Sequence, residues 1–204
     1  MEYNRHGMRW RWRWLMVAWS VVGLAVPTWA YEELILNAKE GEVNTQYPAY
    51  LVTVPNASGY QSHQAIEYPK QVNDGCYVWH RMLPNTYATG AEMDAVVMWY
   101  PTTVSTETAL MTFWMACTAV GESLLATSMS AGSTSVNLTG DGTAGKIFQT
   151  SATATTSIRF ENTCAANEVL SISLCRNLDL AGTSTVRVMS VVLRYPCPDE
   201  GACS

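Results

Sequence analysis

Beyond residue 45 the chain repeatedly alternates apolar and polar positions with a period of two. In 168–176, Leu170, Ile172 and Leu174 fall on one side, and Ser171 and Ser173 on the other. Along 109–119, Met111, Phe113, Met115 and Cys117 make an apolar face opposite Thr112, Trp114, Ala116 and Thr118. That is strand spacing, with successive side chains on opposite faces. In 184–195, Met189, Val191 and Leu193 share a face, with Val188, Ser190 and Val192 opposite. This strand is apolar on both sides and is predicted to be central or covered. Gly, Pro, Asn, Ser and Asp separate such runs, as turns should. The pattern predicts strands near 46–54, 76–82, 93–100, 109–120, 124–130, 145–149, 155–160, 168–176 and 184–195. A convincing helical period over twelve residues is absent. Short strands with regular turn signals predict an all-β fold, a single antiparallel β-sandwich of jelly-roll type over 46–196.

Two stretches resist that reading. Residues 31–45 read as an N-terminal arm, with Glu32–Lys39 suited to a short helix as well. The Ser/Thr/Ala/Gly-rich stretch from Thr127 to Ser157, with its Asp141-Gly142 turn, resembles a linker. Its apolar Ile147 and Phe148, followed by Ile158 and Phe160, place it instead as loops between strands of one domain.

The first thirty residues follow another rule. Met1–Trp14 is basic, Leu15–Val26 is uncharged and apolar, and Pro27-Thr28-Trp29-Ala30 supplies small residues before Tyr31. This order predicts a secretory signal peptide over 1–30. The apolar core is short for a membrane span, which needs about twenty residues. Beyond Tyr31 the apolar runs stay shorter than a span, so the exported chain is expected to be soluble and extracellular or at the cell surface, with the periplasm as the alternative.

All six cysteines, Cys76, Cys117, Cys164, Cys175, Cys197 and Cys203, follow the signal. An even number in an exported chain predicts disulfides. Spacing suggests Cys197 with Cys203 around a turn in the 197–204 tail, and Cys164 with Cys175 around a strand. Cys76 with Cys117 follows by elimination, among the fifteen pairings that six cysteines allow. A C-x-x-C pair, the usual mark of a structural zinc site, is missing.

Hydrophobic residues make up 48% of the 204 and charged residues 14%, enough apolar surface for a core. Four of twelve basic residues and one of seventeen acidic ones precede Tyr31, leaving eight and sixteen, a formal charge of −8. A chain of that charge does not suit nucleic acid, whose phosphates need clustered Lys and Arg.

Three further pieces carry a resemblance: Val96-Val97-Met98-Trp99-Tyr100-Pro101, Ala109 to Ala116, and Glu168 to Asn177 running through Asp179-Leu180-Ala181-Gly182 to Tyr195. The region 95–196 resembles the jelly-roll-like β-sandwich module of uncharacterised phage virion or tail-associated proteins and bacterial secreted proteins. The resemblance implies a sandwich with a structural or attachment role and transfers no catalytic residue. The export signal and the cysteines depart from virion subunits.

Catalytic motifs are scarce. The sequence lacks G-x-S-x-G, H-E-x-x-H, a phosphate loop and a dinucleotide glycine pattern. His80 is expected to be a structural strand residue and His63 a loop residue. Glu92 and Asp94, two apart, suit an edge pair as well as a carboxylate dyad. Asp141 and Asp179, in turns, could offer oxygen ligands to Ca²⁺, although the D-x-D-x-D-G series of a calcium loop is missing. Asn56-Ala57-Ser58 and Asn137-Leu138-Thr139 match the glycosylation pattern.

Aromatics are the better candidates. Trp114, on the Thr/Ala face of its strand, and Tyr77, Trp79 and Trp99 on neighbouring strands, would form a stacking platform for a sugar ring if exposed. Core packing and a subunit interface use the same residue types. The expectation is a non-catalytic, secreted structural protein that assembles with itself or with other surface proteins. The alternative is a carbohydrate-binding module, and a hydrolase comes third.

Overall fold

The computed structural model describes residues 31–44, 49–56, 58–59, 61–69, 75–104, 108–123, 132–150, 158–160, 164–177 and 185–196. The signal segment, the predicted strand at 124–130, Asp179, and the Cys197 and Cys203 tail lie outside them.

Twelve strands follow in chain order: β1 Tyr31–Asn37, β2 Glu42–Val43, β3 Tyr50–Pro55, β4 Ser62–Tyr68, β5 Cys76–Met82 and β6 Met93–Pro101, then β7 Thr108–Thr118, β8 Gly132–Thr139, β9 Phe148–Gln149, β10 Ile158–Phe160, β11 Val169–Asn177 and β12 Val186–Pro196. One 3-10 turn, Ala38–Glu40, joins β1 to β2. Seven strands form one sheet in the order β10-β6-β12-β4-β3, with β1 added to β12 and β9 to β6. Five form the other in the order β2-β5-β11-β7-β8. From β4 to β7 the chain changes sheet at every step, and β11 and β12 return to lie between strands already in place. That is jelly-roll order. Every pairing is antiparallel.

The core lies between the sheets. Met93, Ala95, Val97 and Trp99 of β6 face Met111, Phe113 and Met115 of β7 and Leu170, Ile172 and Leu174 of β11. Two polar side chains cross this layer. The Tyr68 hydroxyl donates to the Leu174 carbonyl at 3.0 Å, and Arg176 Nη1 donates to the Tyr68 carbonyl at 3.0 Å. Both side chains are buried, and the bonds tie β4 to β11 across the sandwich. A buried guanidinium without acceptors would cost several kcal/mol.

Four expectations change. Residues 31–37 are a strand rather than an arm: β1 runs in register with β12 from Tyr31↔Pro196 to Asn37↔Ser190, and Leu36 is fully buried. His63 stands in β4, where its Nε2 meets the Tyr100 hydroxyl at 2.9 Å, rather than in a loop. Within the Thr/Ser-rich stretch, Gly132–Thr139 is β8, which buries Leu138 while Ser135 and Asn137 stay exposed. In β12 the two-sided apolar pattern has a specific cause. The register against β6 shifts between Val188 and Ser190, leaving Met189 as an extra residue. A bulge resets the alternation, so Val186 and Val188 before it and Val191 and Leu193 after it all reach the core.

The cysteine pairing also differs. Cys76 joins Cys175, with Cα atoms 4.0 Å apart, and Cys117 joins Cys164 at 5.5 Å. Cys76 and Cys175 are direct cross-strand partners on β5 and β11, and register rather than sequence spacing brings them together. Non-reducing peptide mapping should recover 76–175 and 117–164 linked peptides. A 76–117 or 164–175 peptide would contradict the register.

Tyrosine hydroxyls predict the alkaline limit. Burial pushes the Tyr68 hydroxyl well above its ordinary range, and burial with the Glu32 carboxylate beside it does the same for Tyr195. Burial also raises Tyr77, helped by Glu42. Below about pH 10 these groups are neutral whether the chain is folded or not, and their contribution is complete. Above it the unfolded chain loses protons first, so stability falls as pH rises. Melting curves should show Tm dropping above about pH 10, with a shallower drop in Tyr195→Phe.

Candidate functional site

The four aromatics do not form one platform. Trp79 is 0% exposed, Tyr77 1% and Trp99 3%, whereas Trp114 is 40% exposed. Each buried ring has a structural task. Trp79 Nε1 donates to the Asn37 carbonyl at 2.9 Å. The Tyr77 hydroxyl lies 2.6 Å from the Ala38 carbonyl and 2.8 Å from that of Gly41. Together they hold the crossover from β1 to β2, where the chain passes from one sheet to the other. Trp99 stacks on Phe148 with centroids 5.1 Å apart. Rings used in this way offer no free face, and the platform reading is corrected for Tyr77, Trp79 and Trp99.

Trp114 stands on the outer face of the five-stranded sheet. It pairs with Ser173 of β11 on one side and Ser133 of β8 on the other. The same face carries Thr112 and Ala116 on β7, Ser171 on β11, Ser135 on β8 and His80 on β5. The Thr112 and Ser135 hydroxyls lie 3.2 Å apart, and His80 Nδ1 lies 2.8 Å from the Ser171 hydroxyl. Small residues form the floor of this face: Ser171, Ser173 and Ala116 are all buried, whereas Trp114 is exposed. An indole beside a row of hydroxyls combines an apolar face with hydrogen-bonding groups. The sequence pointed to Trp114 through its position among Thr and Ala. It gave no sign of His80 beside Ser171, because that contact is set by the pairing of β5 with β11.

The His80–Ser171 contact invites comparison with a nucleophile and its base. β11 is bonded on both sides, so its main-chain N–H groups are engaged in the ladders and do not converge on Ser171 as an oxyanion hole would require. Glu92 precedes β6, and Asp94 lies in it opposite Arg194 of β12, in the other sheet. Both Asp141 carboxylate oxygens are engaged, Oδ1 by the Thr143 N–H at 3.1 Å and Oδ2 by the Lys146 ammonium. Those bonds hold the Asp141 carboxyl below its ordinary range, the Lys146 contact first. The carboxylate is therefore already neutralised by a cation in its own turn. Cys117, Cys164 and Glu168 come close together, but the two sulfurs share a disulfide and Glu168 accepts the Ala165 N–H at 2.8 Å.

Among the described residues, no helix is long and apolar enough to cross a membrane. The two disulfides fit an oxidising, extracellular setting.

No protein-family model matches the chain, and no curated protein matches it. Several solved structures are similar in shape. The CBM36-1 domain of a multidomain xylanase from the hindgut metagenome of Trinervitermes trinervoides is 11% identical, with a TM-score of 0.46 over 79% of this chain and 96% of that one. The CBM22-1 xylan-binding domain of Paenibacillus barcinonensis Xyn10C is 11% identical, with a TM-score of 0.43 over 83% and 98%. The enzymatically active domain of tailspike protein 4 of bacteriophage CBA120 is 8% identical, with a TM-score of 0.35 over 81% of this chain and 19% of that one.

The crossover held by Tyr77 and Trp79 has its own test. A Cβ added at Gly41 would lie 2.4 Å from Tyr77 Cε1 and 2.6 Å from the Val78 carbonyl oxygen. Gly41→Ala should destabilise the protein by about 1–3 kcal/mol in denaturant unfolding. An unchanged midpoint would show that the crossover does not lock the two sheets.

Proposed function

We propose that the protein is a non-catalytic, exported carbohydrate-binding module that takes its ligand on the outer face of the five-stranded sheet. One observation carries the reading. Among the described residues Trp114 is the only exposed tryptophan, and Thr112, Ser135, Ser171 and His80 share its sheet face. A sugar ring presents C–H groups on its faces and hydroxyls around its rim. The indole covers the first, while Thr112, Ser135 and His80 meet the second. Rigid strands hold these groups in place, so little order has to be gained on binding. The basic and apolar N-terminal segment and the disulfides support export to where glycans are met.

The test is a glycan array followed by calorimetry on the oxidised protein. Trp114→Ala should weaken binding of any captured glycan by about tenfold or more, roughly 1.4 kcal/mol. Its Tm should stay close to that of the parent, since the ring is not part of the core. Equal binding by the variant would rule out this face.

A second reading, self-assembly, draws on a different place. β3 ends its sheet and pairs only with β4 among the described residues. Its Tyr50 and Leu51 are 46% and 41% exposed. An apolar, unpaired edge is a template for adding a strand from another copy. Light scattering on the oxidised protein would then give a mass above one chain that falls to one chain in Leu51→Lys. A monomer at all concentrations would remove this reading.

A further inference from the structure

β12 changes partner halfway along its length. Val186, Val188 and the residue between them pair with β4, whereas Ser190–Pro196 pair with β1. Met189, the bulged residue, falls between the two. Among the described residues, β4 pairs with β12 from Ile66 to Tyr68 alone, and Ser62–Ala65 pair only with β3. The β3–β4 hairpin therefore splays away from β12 just where β1 ends and the 3-10 turn begins. The wedge left between them is a groove of about 480 Å³ lined by Asn37, Ala38, Lys39, Thr53, Ser62, Gln64 and Met189. That volume falls within the roughly 300–1,000 Å³ of small-ligand sites.

The lining has a definite chemistry. Thr53 and Gln64 are register partners, and Ser62 lies two residues along the same face of the hairpin. Hydroxyls and a primary amide give this wall both donors and acceptors. Met189 adds one adaptable apolar surface. Lys39 is the one charged residue in the lining, and none of the seven is acidic. The nearest carboxylate in sequence, Glu40, is engaged by the Arg81 guanidinium and accepts the Asn37 main-chain N–H at 3.4 Å.

We infer that this groove is a second ligand site, separate from the Trp114 face, and that it takes a hydroxyl-rich ligand bearing a carboxylate, a uronic acid residue. The ring hydroxyls meet Thr53, Ser62 and Gln64, the apolar ring face lies on Met189, and the carboxylate meets the Lys39 ammonium. None of the lining residues belongs to β7, β8 or β11, so the inference stands whether or not Trp114 binds glycan.

Saturation-transfer NMR on the full oxidised protein tests it, with galacturonic acid as probe and glucosamine as the cationic counterpart. Galacturonic acid should receive saturation and glucosamine much less. Gln64→Ala and Lys39→Gln, each made in a Trp114→Ala background so that the outer sheet face contributes nothing, should each lower the galacturonic acid signal several-fold. Gln64 and Lys39 are exposed, so circular dichroism should show both variants folded. The inference is overturned if galacturonic acid receives no saturation. It is equally overturned if the two groove variants keep the full signal of the Trp114→Ala background.

Discussion

Contact between the two inner sheet faces decides what every other part of the molecule is free to do. Strands β5, β6, β7, β11 and β12 contribute alternate residues to that layer, which takes up Trp79, Trp99, Phe113 and the other large side chains of the core. Tyr77, Trp79 and Trp99 lie in it, and the first two also fasten the crossover between the sheets through main-chain carbonyls. The layer even holds a cation, because Arg176 finds the Tyr68 carbonyl as an acceptor within it. Among the described residues Tyr31, Ile35, Tyr50, Leu51, Met82 and Ile147 also stay exposed, and Trp114 is the largest side chain of that group. The site is thus a remainder of the packing, fixed by the register of β7 against β11 and β8.

The same layer explains the groove. A strand feeding the core must present the correct alternate residues along its whole length. β12 does so only by inserting Met189, since eleven residues have to serve two partners, β4 and β1, that approach from the same side. Resetting the alternation keeps Val186 and Val188 in the core together with Val191 and Leu193. The cost is a break in the sheet, and a break in a sheet is a concavity. The two candidate surfaces therefore have different origins. One is a regular face carrying an exposed ring, and the other a fault line where the ladder changes hands.

Much of the fold was legible from alternation. Residues 76–82 form β5 as read, and the strands at 93–100, 109–120, 168–176 and 184–195 differ from β6, β7, β11 and β12 by a residue or two at their ends. β1 was hidden because Glu32-Glu33 and Lys39 bracket only three apolar residues, and pairing with β12 outweighs that polar content. β4 was hidden by His63, Gln64 and Glu67, which face outward or into the groove. The Arg187 guanidinium holds Glu67 at 2.7 Å. β8 was masked by Ser and Thr, although Val136 and Leu138 carry its inward face. Spacing misled on the disulfides for a related reason: residues 99 apart in sequence can be nearest neighbours in a sheet, and only register says which. For the site, exposure was the missing quantity. Alternation set Trp114 on a Thr/Ala face, but for Tyr77, Trp79 and Trp99 the choice depends on which face each strand turns inward.

Amide chemical-shift mapping during titration with a captured glycan addresses the central claim most directly. The account predicts shifts concentrated on β7, β8 and β11 around Trp114, Thr112, Ser135 and Ser173, with the indole N–H of Trp114 among the largest and those of Trp79 and Trp99 unmoved. Shifts centred on the β3 edge, with Trp114 silent, would contradict it and leave the outer face as plain surface.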